Sequence, residues 1–139
     1  YETYEPVCMK QNLELKLHLS EESYPAMLTD KDRLFQILCV FMDNAIQHSK
    51  NNSLIEIEVI ATEKNIAFSV ADHGQGISDE DKQYIFDRFY SGDKSHTNKS
   101  NFGLGLSIAK ELTQMLNGTI TINDTAGGGA TFTVKFPLK

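Results

Sequence analysis

The residues with the clearest potential for chemistry are at positions 72–77, which read Asp-His-Gly-Gln-Gly-Ile. They follow an alternating segment, Ile66 to Ala71, that is typical of a strand, so Asp72 shares the apolar face with Val70. A carboxylate on that face needs hydrogen-bond donors, because an unpaired buried charge is costly. The glycines would let a flat group approach the backbone closely. We therefore expect Asp72 to accept a hydrogen bond from an exocyclic amine such as that of adenine. An ordinary turn is the alternative, whereas glycines at its third and fifth positions exclude an EF-hand loop.

A second glycine-rich stretch, residues 103–106, reads Gly-Leu-Gly-Leu and begins a helical pattern that Asn117 and Gly118 end. The apolar stripe of this helix is predicted to be Leu104, Ile108, Leu112, Met115 and Leu116. Backbone N–H groups at such a helix start favour an anion, and the glycines would admit a triphosphate. The spacing matches neither a Walker A loop nor a dinucleotide-binding fingerprint, so this signal alone is weak.

A third candidate is Asn44, which lies within a helical pattern that Asp30 is predicted to cap and that extends to about Ser49. Asn44 shares one helix face with Val40, Gln47 and His48, beside the apolar stripe. An amide at the edge of a cavity can hold a metal ion or a phosphate oxygen. A solvent-facing asparagine is the alternative.

The totals bound the class of protein. A chain of 139 residues suits one domain with a real core, and its net charge of −6 argues against a nucleic-acid surface. Cys8 and Cys39 have no metal spacing and form no disulfide framework, as is usual in a reducing compartment. No apolar run is long enough to span a membrane, and the start at Tyr1, without Met, suggests a fragment of a longer protein.

The remaining elements provide the scaffold. Strands are predicted over Leu13 to Leu19 and over residues 26–29, and two hairpins are predicted. The first hairpin joins a strand over residues 55–59 to the Ile66 strand, and the second joins residues 119–123 to residues 130–136. Ser78 is predicted to cap a short helix that leads to Phe86 and Phe89. The order predicts an α+β fold: a two-layer α/β sandwich with a mostly antiparallel mixed sheet and three main helices on one face.

Residues 91–101 contain no large apolar side chain. Nothing in this segment can attach to a core, so we expect a mobile loop that could act as a lid over a charged ligand. A plain linker is the alternative.

Taken in order, Asn44, Asp72-x-Gly74-x-Gly76, Phe86-x-x-Phe89, the polar loop, Gly103-Leu104-Gly105-Leu106 and Gly127-x-Gly129 form a specific set. The set resembles the catalytic ATP-binding domain of bacterial sensor histidine kinases, whose Bergerat fold is shared with gyrase, heat-shock protein 90 and mismatch-repair ATPases. The resemblance covers essentially all of residues 1–139 as one domain.

The resemblance implies that Asn44 holds a magnesium ion that bridges the phosphates, that Asp72 reads the adenine amino group and that residues 91–102 form the ATP lid. It implies nucleotide contacts from Asn44, Gln47, His48, Asp72, Gly74, Gly76, Ile77, Phe89, Tyr90, Lys94, Gly103, Leu104, Gly105, Leu106 and Thr131.

Some positions depart from the pattern of the family. Val40 stands where a second amide is common in the kinases and where the related ATPases place a glutamate that activates water, so a stand-alone ATPase is disfavoured. Gln47 and Ser91 replace basic residues that often contact phosphate, and Arg88, Lys94 or Lys99 could supply that charge.

The implied reaction is phosphoryl transfer from Mg-ATP to a histidine, in which the domain mainly positions the substrate and stabilises charge. The acceptor histidine belongs on an upstream dimerisation segment that is absent here, and a response regulator acts downstream. The resemblance implies a cytoplasmic domain of a bacterial membrane protein that itself contacts neither nucleic acid nor membrane. The rivals are a same-fold ATPase or serine kinase and an interaction module whose nucleotide site has decayed.

Overall fold

A computed structural model of the chain describes residues 5–10, 12–19, 31–49, 52–74, 76–82, 86 and 103–137. The elements are α1 (Glu5–Lys10), β1 (Glu14–Leu19), α2 (Lys31–His48), β2 (Leu54–Ala61), β3 (Asn65–Ala71), α3 (Asp79–Lys82), α4 (Gly103–Met115), β4 (Thr119–Asp124) and β5 (Ala130–Pro137). The predicted strand at 26–29, the cap at Asp30 and the lid at 91–102 lie outside the described residues.

The five strands form one sheet in the order β1-β2-β3-β5-β4. β1 pairs with β2 in parallel, and all other neighbours are antiparallel, so both predicted hairpins and the mixed sheet are confirmed. β3 is the central strand, between β2 and β5. The residues that follow β3 therefore emerge from the middle of the sheet rather than from an edge.

The core lies between one face of the sheet and the two long helices, α2 and α4. Ile37, Phe41 and Ala45 recur at helical spacing along α2 and are almost fully buried. Phe41 stacks on Phe132 of β5 with ring centroids 5.3 Å apart. This contact seats α2 directly over the centre of the sheet, and the predicted two-layer sandwich is confirmed.

The buried face of α4 differs from the predicted stripe. Leu106, Ala109 and Thr113 are buried, whereas Ile108 and Leu112 are partly exposed and Met115 is 58% exposed. The small side chain of Ala109 allows close packing, and the Thr113 hydroxyl donates to the Ala109 carbonyl oxygen at 2.7 Å, so its polar atom is satisfied in the core.

The end of α4 is as predicted, with one change of role. Asn117 takes the left-handed conformation, with φ 63°, and the Gly118 N–H donates to the Thr113 carbonyl oxygen at 2.9 Å. This is a Schellman ending in which asparagine occupies the position that glycine usually takes.

The two faces of the sheet differ sharply in polarity. Ile66 and Val70 of β3 and Phe132 of β5 face the helices and are buried. On the opposite face, which we call the outer face, the hydroxyls of Ser69 and Thr133 are hydrogen-bonded at 2.9 Å across the β3–β5 pair. Among the described helices, none is long and apolar enough to cross a membrane.

Candidate functional site

A cavity lies where β3 ends, β5 begins and the last turns of α2 pass over the sheet. It is lined by Asn44, His48, Asp72, Gly76, Ile77, Ala130 and Phe132. Five of these, Asn44, His48, Asp72, Gly76 and Ile77, are residues for which the resemblance implied contact with a nucleotide. The structure therefore brings one helix and two distant loops of the predicted site together.

Among the described residues, Asp72 is the only carboxylate that lines this cavity, and it is 4% exposed. Its Oδ1 accepts the Gly74 N–H at 3.0 Å and the Ala130 N–H at 3.2 Å. The Asp72 N–H in turn donates to the Ala130 carbonyl oxygen at 3.0 Å, which ties the end of β3 to the start of β5. Within the described part of the chain, both hydrogen bonds to the carboxylate thus go to Oδ1, and Oδ2 can accept from a ligand.

Close backbone approaches around Asp72 require glycine. A Cβ atom on Gly74 would lie 2.0 Å from the His48 carbonyl oxygen, and one on Gly129 would lie 2.1 Å from the Asp72 carbonyl oxygen. Gly76 and Gly129 also have φ of +76° and +113°, a region that other residues rarely adopt. These glycines therefore bring three backbone segments together beneath the carboxylate.

Asn44 is 93% buried in α2 and lines the cavity, and its Nδ2 has no hydrogen-bond partner among the described residues. A buried amide without a partner costs about 1–3 kcal/mol, so such a group is expected to meet a ligand. A half-turn of the amide exchanges Nδ2 and Oδ1, so the same side chain can offer an oxygen.

His48 lies one helical turn beyond Asn44 and also lines the cavity. Burial lowers the pKa of its imidazole, and the charge of Asp72 opposes that effect. The ring is therefore held neutral near neutral pH and adds no positive charge to the cavity.

An aromatic cluster closes the cavity on the side of β5. Phe132 lines the cavity, and the ring of Phe86 packs edge to face against the ring of Phe132, with ring centroids 6.3 Å apart. The Lys110 ammonium lies 5.9 Å from the centre of the Phe86 ring. Phe86 also packs against the hydrophobic core. Ala130 and Phe132 were not predicted to be site residues; the sequence signal for them is that they come shortly after the Gly127-x-Gly129 motif.

The predicted anion-binding helix start lies close to this cavity. α4 begins at Gly103, as the Gly-x-Gly pattern indicated, and no acidic residue lies in its first turn. A Cβ on Gly105 would lie 3.6 Å from Cγ1 of Val40, which is one turn before Asn44. The start of α4 is therefore about one helical turn from the buried amide.

Several other predicted site residues within the described ranges do not line the cavity. Gln47 is exposed, and Leu106 is buried in the core at 1% exposure. Thr131 points to the outer face, where its hydroxyl is hydrogen-bonded to that of Thr125 at 2.9 Å. Gly74 supports Asp72 from behind rather than lining the cavity. Phe89, Tyr90, Lys94 and the side chain of Leu104 lie outside the described residues.

A larger groove of about 440 Å³ lies at the edge of the sheet formed by β1, between α1 and β1, and Cys8, Glu14 and Asn52 are among its lining residues. Its cysteine is buried at 1% exposure, and burial raises the pKa of the thiol, so the thiol is unreactive. The smaller cavity around Asp72 is the better candidate because an acceptor, a buried amide and a helix start converge there.

Asn44 could supply one oxygen ligand to a magnesium ion, and water and phosphate oxygens would have to supply the others. Mg²⁺ prefers oxygen ligands and usually keeps several waters and substrate phosphates, so a single amide oxygen from Asn44 is a suitable protein contribution. Within the described ranges, no cluster of three His, Cys, Asp or Glu side chains could hold a metal without such phosphates.

Comparison with known proteins identifies one family. A family profile described as histidine kinase-, DNA gyrase B- and HSP90-like ATPase matches residues 29–139. Over 140 residues the chain is 36% identical to the sensor protein CiaH of Streptococcus pneumoniae, a match that covers 100% of this chain and 31% of CiaH. The chain thus spans about a third of the length of that relative.

Solved structures give the same fold. The nucleotide-free catalytic domain of histidine kinase ThkA has a TM-score of 0.86 and 26% identity, over 99% of this chain and 88% of that one. Full-length ShkA in complex with AMPPNP has a TM-score of 0.83 and 28% identity, over 99% of this chain and 28% of ShkA.

Proposed function

This chain belongs to the family of histidine kinase-, DNA gyrase B- and HSP90-like ATPases, and we propose that it is the ATP-binding catalytic domain of a sensor histidine kinase. It binds Mg-ATP and donates the γ-phosphate to a histidine on a dimerisation segment elsewhere in the same protein, which works as a homodimer anchored in the membrane. A response regulator then receives the phosphate.

The observation that carries this proposal is the Asp72 carboxylate. It is buried, its Oδ1 is held by two backbone N–H groups, and its other oxygen can accept from a ligand in the cavity. The exocyclic amine of adenine is a donor of the right kind. Phe132 and Ile77 offer apolar surface for the flat base beside it.

The phosphates would extend from this base site toward the start of α4. The N–H groups of its first turn have no partner within the helix, and the turn carries no acidic side chain, so it suits a triphosphate. Asn44 lies between the two and would offer an amide oxygen to magnesium. The bound ion would neutralise phosphate charge, while the protein orients the γ-phosphate for attack.

A stand-alone ATPase is the less favoured activity. Such an enzyme needs a group that activates water, and the α2 position one turn before Asn44 holds the hydrocarbon side chain of Val40. Without a base there, the bound nucleotide waits for an acceptor histidine instead of being hydrolysed.

The acceptor experiment tests the proposal directly. Full-length protein and the 139-residue chain are each incubated with Mg-ATP that carries a radiolabelled γ-phosphate. We expect acid-labile, base-stable label on the full-length protein and none on the isolated chain. Stable acid-labile label on the isolated chain, or rapid release of inorganic phosphate from it, would contradict the proposal. Failure of the chain to bind ATP at all would favour an interaction module.

A further inference from the structure

A triad of His18, Glu56 and His73 lies on the outer face of the sheet, away from the cavity. Glu56 projects from the middle of β2, on the face opposite the buried Ile55. Its Oε1 is 3.0 Å from Nε2 of His73, and its Oε2 is 2.8 Å from Nε2 of His18. One carboxylate therefore binds two imidazoles that come from different parts of the chain.

The chemistry of the triad fixes the direction of both hydrogen bonds. The hydrogen bond with His73 lowers the pKa of Glu56 most strongly, burial opposes the shift, and His18 adds to it. Glu56 is therefore ionised near neutral pH and can only accept. Each imidazole must donate its Nε2–H, and hydrogen bonds to an ionised acceptor are stronger than those between neutral groups.

The position of His73 gives this triad a connection to the nucleotide site. His73 lies between Asp72, whose carboxylate lines the cavity, and Gly74, whose N–H donates to that carboxylate at 3.0 Å. The Asp72 and His73 side chains leave the same short stretch of backbone on opposite sides. A restraint on His73 therefore acts on the backbone that carries the base-reading carboxylate.

The backbone of this stretch is already confined on the cavity side. Gly74 packs against the His48 carbonyl, and Gly129 packs against the Asp72 carbonyl. Both contacts are made by backbone atoms, and neither involves the side chain of His73, which points to the outer face. The hydrogen bond from His73 to Glu56 supplies a restraint on that side.

We propose that His73 and Glu56 are positioning residues for nucleotide binding, which hold the Asp72 carboxylate at the adenine amino group through a hydrogen bond on the far side of the sheet. This inference rests on the proposed function, because it concerns the same nucleotide. His73 and Glu56 would act through the backbone and would not contact the nucleotide.

His18 offers a matched control. It binds the same carboxylate at a similar distance, but it lies on β1, and within the described ranges it is linked to the loop that carries Asp72 through Glu56 alone. Loss of His18 should therefore disturb Glu56 and the sheet surface as much as loss of His73 does, and leave the position of Asp72 unchanged.

The test compares two nucleotides on five proteins: wild type, His73→Ala, Glu56→Ala, Glu56→Gln and His18→Ala. A non-hydrolysable ATP analogue and the corresponding inosine analogue, which lacks the exocyclic amine, each displace a fluorescent ATP analogue, so that weak binding stays measurable. Thermal unfolding of each variant checks that the fold persists.

We expect His73→Ala and Glu56→Ala to bind the ATP analogue about threefold to tenfold more weakly, which corresponds to part of one charge-assisted hydrogen bond. Binding of the inosine analogue should change little. The ratio of the affinity for the ATP analogue to that for the inosine analogue should therefore fall. Glu56→Gln, whose amide oxygen can still accept from His73, should recover part of the affinity. His18→Ala should stay within about twofold of wild type.

Two results would overturn the inference while leaving the proposed function intact. The first is a His73→Ala variant that binds the ATP analogue as tightly as wild type does and prefers it over the inosine analogue to the same degree. The second is an equal loss for both nucleotides, which indicates a merely structural role. If wild type binds neither analogue, the proposed function itself fails, and the positioning role fails with it.

Discussion

Replacement of Gly74 by alanine should separate α2 from the loop that carries Asp72. The added Cβ would lie 2.0 Å from the His48 carbonyl oxygen, and a real Cβ essentially never comes closer than 3.0 Å. The two backbones must therefore move apart by about 1 Å in an interior that is otherwise closely packed. Because the clashing atom is backbone at the end of a helix, no side-chain rotation can relieve the contact.

The cost follows from two effects. Overpacking of this kind costs about 1–3 kcal/mol, and loss of the Gly74 hydrogen bond to the Asp72 carboxylate adds about 1 kcal/mol. We expect the free energy of unfolding in urea to fall by about 2–4 kcal/mol. Affinity for an ATP analogue should fall by at least about tenfold, because the carboxylate moves with the loop.

Gly105→Ala is the control for stability. The added Cβ would meet only Val40, at an ordinary contact distance of 3.6 Å, and Gly105 is helical. Alanine there should raise the free energy of unfolding by about 0.5–1 kcal/mol. If the free energy of unfolding of Gly74→Ala lies within about 0.5 kcal/mol of the wild-type value, the contact between Gly74 and the His48 carbonyl does not exclude a side chain.

Three further changes test the core, a helix end and pH dependence. Phe41→Ala removes the ring stacked on Phe132 and should cost about 3–5 kcal/mol in urea unfolding; a loss under about 1 kcal/mol would mean that the stack is not central. Asn117→Gly relieves a left-handed asparagine and should leave the thermal unfolding midpoint unchanged or slightly raised, since glycine also loosens the unfolded chain; a large drop would contradict the assigned conformation. Burial lowers the pKa of folded His48 below its ordinary 6.5, so the unfolded chain binds this proton more readily and stability falls as the pH drops through that value. His48→Gln should therefore lose less stability than wild type between about pH 7 and about pH 5, and parallel pH profiles of the two proteins would argue against this.

Local patterns predicted the face on which Asp72 lies. Alternation with a period of two places every second residue of a strand on the same side, so Ile66, Val70 and Asp72 had to share the buried face. The glycine-rich turn after Asp72 and the helix start at Gly103 could also be predicted from the sequence, because their signals are confined to a few neighbouring residues.

Contacts between distant segments of the chain could not be predicted from the sequence. The Ala130 N–H meets Asp72 across 58 positions, and Glu56 meets His18 and His73 across 38 and 17 positions. These pairs depend on strand order and register, which the hydrophobic pattern of one strand does not determine. The alternation of β1 places His18 on the polar face of that strand but does not indicate its contact with Glu56.

The errors in the helices have a different origin. The large apolar residues of α4 suggested a stripe through Met115, yet close packing selected the face with Ala109, because a small residue lets the helix approach its neighbours. α1 was missed because its six residues, which begin with Glu5 and Pro6, are too few to show a helical period.

Recognition of adenine by Asp72 can be measured by a calorimetric titration of a non-hydrolysable ATP analogue, with and without magnesium, on wild type and on Asp72→Asn. Asparagine can keep Oδ1 toward the Gly74 and Ala130 N–H groups, but it turns a donor toward the adenine amine. We expect magnesium-assisted binding by wild type and at least tenfold weaker binding, by about 1.4 kcal/mol or more, by a variant that stays folded. Equal affinities of the two proteins, or no binding by wild type at millimolar analogue, would contradict the account.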